Sequence, residues 1–190
     1  MIKREIRVLG IAFCFSGRTP KSRLHIVGVV YRGNRWLEGA MRTSVPQKRA
    51  DLTRAIIRMV RASPHLPQLR IIALKELVAE SGDYVDIGAL SRKTGLAVIA
   101  VLRQSSFRCA LSKLTSKGVP LSNLQNRRWV FAGRRFVVFH AGLGKMDLEE
   151  LLRVCASDKG FPEASRVAGI AALALEKFFA KRVAEAKSRK

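Results

Sequence analysis

The sequence predicts an α/β fold: a mixed sheet that starts as an antiparallel three-strand meander, continues with parallel strands and is flanked by helices. Three apolar segments joined by short turns predict the meander, at residues 8–15, 23–31 and 36–41. A segment with apolar residues at helical spacing follows at 51–61. A strand, a helix and a strand with the lengths of a parallel crossover come next, at 69–74, 86–94 and 96–102.

The strand at 8–15 organises the predicted sheet. It has little polar alternation, so we expect both of its faces to be covered, as they are in the middle of a sheet. The carboxyl ends of such strands are where α/β sheets place their functional sites. Here that end carries Ala12, Phe13 and Cys14, whose side chains offer a metal no oxygen ligand and are not ordinary acids or bases.

The remaining segments complete one predicted domain over residues 1–190. Asp51 stands in the N-cap position of the first helix. Further elements are predicted as a helix at 107–115, a last strand at 134–141, a helix at 147–155 and a basic C-terminal helix at about 162–190. The segment at 121–128 has no clear pattern.

The charge balance indicates a polyanionic partner. The 190 residues include 36 Lys and Arg against 14 Asp and Glu, a formal net charge of +22 at pH 7. This charge opposes a compact fold through self-repulsion unless a polyanion neutralises it, and nucleic acid is the expected polyanion. A membrane surface is the rival partner, but no segment has the pattern of an anchor or a span, so none is expected.

The cysteines and histidines are scattered along the chain. Cys14, Cys109 and Cys155 form no CxxC and no metal-ligand spacing, so buried reduced thiols are expected. This spacing predicts neither a disulfide nor a zinc site, and no cofactor is expected. The charged first residues do not have the pattern of a signal peptide, which favours a cytoplasmic location.

Four groups of residues, in order along the chain, resemble the archaeal endonuclease V-like family: 5–11, 27–33 with 36–37, 85–87 with 94–96, and 161–163 with 166–168. The resemblance covers nearly the whole chain and implies a ribonuclease H-like fold. For active members of the wider endonuclease V group it also implies a metal-dependent nuclease. In such an enzyme, carboxylates at strand ends hold Mg²⁺ against the scissile phosphate.

The chain departs from the family pattern at the positions of those carboxylates. The pattern implies aspartates at three places and a histidine at a fourth, where this chain has Ala12-Phe13, Lys48-Arg49, Lys75-Glu76 and Gly169. A lysine ammonium at a Mg²⁺ position repels the metal and attracts phosphate. Strand alternation points Glu76 away from Lys75, so we expect no residual metal site.

The candidate nucleic-acid-binding residues are basic side chains in turns, at the altered family positions and near the C-terminus: Arg18, Lys21, Arg23, Arg32, Arg35, Lys48, Arg49, Lys75, Arg127, Arg128, Arg134, Arg135, Lys181, Arg182, Lys187 and Arg189. Trp129 joins them because an aromatic ring among arginines suits RNA bases and backbone. A solvated hairpin with Trp129 half buried fits the same residues equally well. The sequence leaves open whether the first two hairpin turns share one end of the sheet.

These observations lead to three hypotheses. The main one is a non-catalytic protein that binds structured RNA, as an rRNA-binding component of the archaeal ribosome beside other ribosomal proteins. The second is a metal-dependent nuclease with a rearranged site around Asp51, Glu76 or Asp86. The third is a DNA-binding or chromatin protein.

Overall fold

Seven strands form one mixed sheet with helices on both faces. The computed structural model describes residues 2–17, 22–47, 51–116, 119, 125–144 and 146–188. The strands are β1 (Arg7–Phe15), β2 (Arg23–Arg32), β3 (Trp36–Pro46), β4 (Leu69–Leu74), β5 (Ala97–Arg103), β6 (Asn126–Phe131) and β7 (Arg134–Ala141). The helices are α1 (Leu52–Arg61), α2 (Ile87–Thr94), α3 (Gln104–Ser116), α4 (Leu148–Cys155) and α5 (Glu163–Ser188), with a 3-10 turn at Leu66–Gln68. Across the sheet the strands lie in the order β3-β2-β1-β4-β5-β7-β6.

The predicted fold class is confirmed. β1, β2 and β3 form the antiparallel meander, and β1, β4 and β5 run parallel. Asp51, Asp86 and Asp147 each cap a helix, because one carboxylate oxygen accepts a hydrogen bond from the backbone N–H three residues further on.

The far edge of the sheet differs from the prediction. β7 runs antiparallel to β5, and β6 pairs with β7 to form a hairpin. The tight turn between them places Ala132 at φ 46° and Gly133 at φ 74°. A hairpin around Trp129 was one of the two predicted interpretations, but the sequence assigns no strand at 126–131. β6 is an edge strand in which only Trp129 is buried, and its sequence shows no apolar alternation.

Helix α5 lies directly on β1. A side chain at Gly10 would place its Cβ 2.0 Å from the backbone carbonyl carbon of Ala164, so only glycine allows this approach. Further along, the rings of Phe179 and His25 stack with centroids 4.7 Å apart. α5 therefore follows β1 toward the end of that strand. Among the residues that the structure describes, no helix combines the length and apolar character needed to cross a membrane.

The sheet has two ends with different side chains. We call the end where β1, β4 and β5 finish the carboxyl end, and the opposite one the amino end. β2 is antiparallel to β1 and is 10 residues long, so its two ends lie about 30 Å apart. Arg23, at the start of β2, and Arg32, at its end, therefore lie at opposite ends of the sheet.

Candidate nucleic-acid interface

The carboxyl end brings together three of the positions singled out by the family pattern. Ala12 is fully buried and packs in a cluster with Ala168 of α5. The backbone N–H of Lys75 donates to the carbonyl oxygen of Ile11 at 2.9 Å, which holds the residue after β4 beside the end of β1. Gly169 faces the same place from α5. Lys48 and Arg49 lie outside the described residues.

The Lys75 side chain lies across α5 at Gly169. A Cβ added to Gly169 would meet Lys75 Cδ at 2.6 Å and Nζ at 2.9 Å. The absence of a side chain at Gly169 therefore makes room for the lysine. A histidine there, which the resemblance implies, would displace it.

Lys75 pairs with Glu76, and the prediction that these two side chains point apart was wrong. Lys75 Nζ lies 3.3 Å from Glu76 Oε1. β4 ends at Leu74, so the alternation of a strand does not extend to these residues. Burial raises the pKa of the Glu76 carboxyl, while the Lys75 ammonium and a hydrogen bond with the Phe13 backbone oppose that rise.

The two other acids considered for a rearranged site lie together but have structural roles. Asp51 and Asp86 line one cavity of about 540 Å³ between α1 and α2. Their Oδ1 atoms accept 2.8 Å hydrogen bonds from the backbone of Arg54 and Ala89. Within the described part of the chain, no three His, Cys, Asp or Glu side chains come together as metal ligands would.

Further cations lie toward the carboxyl end. The Arg23 guanidinium donates to Ser44 Oγ at 2.9 Å and to Ser44 O at 3.0 Å, so it also ties β2 to β3. On α5, Lys181 Nζ is 3.9 Å from Glu185 Oε1, and Arg182 lies over the Phe178 ring at 5.7 Å. Other predicted positions fall outside the described residues or side chains: Arg18, Lys21, Lys187 and Arg189.

The β6–β7 hairpin exposes its arginines but not its tryptophan. Arg127, Arg128, Arg134 and Arg135 are exposed. Trp129 is only 7% exposed, and its ring lies 5.3 Å from Phe131 and 5.5 Å from Phe136. The assignment of Trp129 as a base-stacking residue was therefore wrong, because cross-strand pairing with Phe136 turns it into the core.

The amino end holds an arrangement that was not predicted from the sequence. Arg7, Arg32 and Trp36 lie directly opposite one another on β1, β2 and β3. Glu38 accepts hydrogen bonds from both arginines. Arg32 was among the predicted binding residues, but the other three were not. The strand register creates this row, and no single strand's sequence reveals it.

The chain is similar to one protein family and to archaeal proteins of matching length. The family model described as Endonuclease dU matches residues 4–176. A UPF0215 protein of Methanothermobacter thermautotrophicus is 34% identical over 180 residues, covering 90% of this chain and 88% of its own length. A UPF0215 protein of Methanosarcina mazei is 30% identical over 184 residues, covering 90% and 91% respectively.

Solved structures share the fold. A protein of unknown function from Archaeoglobus fulgidus superposes with a TM-score of 0.70 at 26% identity, over 89% of this chain and 97% of its own. Endonuclease V from Bacillus subtilis gives a TM-score of 0.60 at 10% identity, over 93% and 83%. Ciona intestinalis endonuclease V, solved with a 24mer DNA containing inosine followed by a ribo-adenosine, gives 0.52 at 12% identity, over 94% and 86%. Because the family model covers most of the sequence, this chain belongs to the Endonuclease dU family.

Proposed function

We propose that the chain binds structured RNA without cleaving it, and that the nuclease site of its family has been replaced at the carboxyl end. The observation that carries this proposal is the position of Lys75. Lys75 follows β4 beside the end of β1, and its ammonium lies against α5 at Gly169. The family pattern implies Mg²⁺ ligands at these positions. Replacing a carboxylate by an ammonium inverts the charge that the site presents.

The inverted charge favours phosphate over metal. A divalent cation needs several oxygen ligands, whereas Ala12 and Gly169 offer none and Lys75 repels it. The same ammonium is a point-charge donor suited to a phosphate oxygen. Glu76 neutralises Lys75 only in part, since both side chains remain partly exposed to solvent and to an approaching ligand.

The charge of the whole chain supports RNA as the partner. With +22 overall and exposed arginines on the β6–β7 hairpin, contacts to phosphates supply the main binding term, and sequence readout is small. Folded RNA presents a dense phosphate surface with 2′-hydroxyls in its shallow groove. This charge density is similar to that of ribosomal proteins, and we propose rRNA in the archaeal ribosome as the setting, beside other ribosomal proteins.

A nuclease is the second candidate function, favoured by two observations. The family carries an endonuclease description, and Asp51 and Asp86 line a common cavity in this chain. Each aspartate has one oxygen engaged in helix capping. A metal bound in this cavity would therefore have to coordinate the same Asp51 and Asp86 carboxylates that cap α1 and α2.

Binding titrations with RNA and with DNA test the main proposal. The protein is titrated with a folded RNA hairpin and with duplex DNA of equal length, at several salt concentrations. We expect tighter binding of the RNA and an affinity that falls steeply with salt. Equal or tighter binding of duplex DNA would favour a DNA-binding or chromatin role instead.

The ribosomal setting needs a separate test. In a nuclease-free archaeal extract, we expect the protein to sediment with a ribosomal subunit at moderate salt. Sedimentation apart from both subunits would contradict the ribosomal setting while leaving RNA binding open to the titration above.

A further inference from the structure

The two tryptophans of the chain occupy opposite environments. Trp129 is 7% exposed, whereas Trp36, the first residue of the edge strand β3, is 64% exposed. A large ring left in water is an unusual surface feature and marks a contact site when it is part of a patch. From its surroundings, we infer that Trp36 stacks an unpaired nucleotide base while the neighbouring arginines bind its phosphates. This subsite rests on the proposed nucleic-acid binding and deepens it.

The strand register places the ring beside two guanidinium groups. Arg7 on β1 is opposite Arg32 on β2, and Arg32 is opposite Trp36 on β3. Directly opposite residues of antiparallel strands project from the same face of the sheet, with Cβ atoms about 5 Å apart. The three side chains therefore form one row across the amino end, and Arg35 lies in the turn that leads into β3.

A β-bulge aims an acid at this row. Val30 is opposite Gly39 and Tyr31 is opposite Leu37, so Glu38 has no partner on β2. Bulges of this kind redirect a side chain. Glu38 Oε2 accepts from Arg7 Nε at 2.7 Å, and Glu38 Oε1 accepts from Arg32 Nε at 2.5 Å. The carboxylate thus fixes two guanidinium groups that would otherwise be mobile.

The charge of the cluster favours a polyanion. One carboxylate faces two guanidinium groups, and each guanidinium carries five N–H donors, so donors remain for a ligand. Arg35 adds a further exposed positive charge. A flat ring next to fixed cations matches a base next to its phosphate, the combination found in single-strand binding surfaces.

The occupant is single-stranded nucleic acid rather than duplex. A ring can stack on Trp36 only if the base has left its own stack, as in loops, bulges and unpaired ends. In the proposed structured RNA this subsite would take a loop nucleotide. Because the amino end is a β2 length away from Lys75, the two ends would contact different parts of the same RNA.

Leu37 provides a matched control. It is 58% exposed and neighbours Trp36 in sequence, but it lies opposite Tyr31, whereas Trp36 lies opposite Arg32. Adjacent strand residues project from opposite faces. Leu37→Ala therefore removes exposed apolar surface nearby without touching the row.

Tryptophan fluorescence tests the subsite directly. The wild-type protein and the variants Trp36→Ala, Trp36→Phe and Leu37→Ala are titrated with a 12-nucleotide oligouridine, the matching oligothymidine and a blunt RNA duplex, with circular dichroism to check folding. We expect saturable quenching of Trp36 emission by the single strands. Trp36→Ala should weaken their binding about 5- to 150-fold, the range of one lost stacking contact, with a smaller loss for Trp36→Phe. Binding by Leu37→Ala should stay within about twofold of wild type, and comparison of the two single strands reports any preference for the 2′-OH.

The outcomes separate this inference from the proposed function. If wild type and Trp36→Ala bind the single strands equally, the subsite is refuted while RNA binding stands. If wild type binds none of the three ligands, both are refuted. A blue shift of Trp36 emission that grows with protein concentration alone would show that a second copy covers the ring, and this too would overturn the inference.

Discussion

The two ends of the sheet are built from the same strands but carry different side chains. At the carboxyl end, the positions implied for metal ligands hold Ala12, Lys75 and Gly169, and the lysine is paired with Glu76 and packed across α5. At the amino end, a single acid holds two arginines beside an exposed ring. The comparison teaches that the fold depends on close backbone packing, which tolerates a change of chemistry at the strand ends. The proposed RNA binding uses both ends.

The largest expected effect lies in the packing that both ends share. Gly10→Val should lower the free energy of unfolding by about 3 kcal/mol or more, because its side chain would overlap the Ala164 backbone and force α5 off β1. Urea unfolding followed by circular dichroism measures this loss. Gly88→Ala is the matched control, since its Cβ would contact only the side chains of Arg92 and Asp86, and its helical position favours alanine. Equal stability of Gly10→Val and wild type would contradict the close approach of α5.

A smaller effect is expected for the acid at the amino end. Partial burial raises the pKa of the Glu38 carboxyl, but hydrogen bonds from Arg7 and Arg32 outweigh it and hold the pKa below its usual range. Ionised Glu38 therefore stabilises the fold above its unfolded pKa, and this contribution is lost as the pH falls through its folded pKa. Glu38→Gln should cost about 1 kcal/mol at neutral pH and progressively less in acid.

The measurement is urea unfolding of wild type and Glu38→Gln between neutral and acidic pH. Glu149→Gln, which breaks an exposed ion pair with Arg153 on α4, is the control and should cost about 0.5 kcal/mol or less. If the loss of unfolding free energy in Glu38→Gln does not change with pH, the charge of Glu38 is not what stabilises the fold.

The smallest effect is expected at Lys75. Lys75→Ala should weaken RNA binding at low salt and reduce the slope of log affinity against log salt by about 1, the signature of one lost phosphate contact. Arg153→Ala removes one charge from the exposed face of α4 and should leave the slope unchanged. Identical slopes for Lys75→Ala and Arg153→Ala would remove Lys75 from the interface.

The sequence predicted the interior of the sheet better than its edges. Continuous apolar runs identify β1 and β4, and the predicted N-cap Asp51 marks the start of α1. No strand was assigned to the residues of β6 from the sequence, because an exposed edge strand needs no apolar alternation. The strands β1 and β4 and the start of α1 can be predicted from local sequence patterns. The position of β6 depends instead on its pairing with β7.

The site residues depend even more on pairing. The burial of Trp129 comes from its position opposite Phe136, and the contact between Lys75 and Glu76 comes from the end of β4 at Leu74. The row at the amino end arises from the register of three strands and one bulge. Each of these is a relation between segments, which a single sequence does not display.

The most direct test of the central claim is a combined binding and cleavage assay. A folded RNA, a deoxyuridine-containing DNA and an inosine-containing DNA are each incubated with the protein in Mg²⁺, in Mn²⁺ and in EDTA, and samples are resolved on native and denaturing gels. We expect RNA binding to require neither metal and to persist in EDTA, and all three substrates to remain intact. Metal-dependent cleavage that disappears in Asp51→Ala, with the fold retained, would contradict it and establish a rearranged nuclease site.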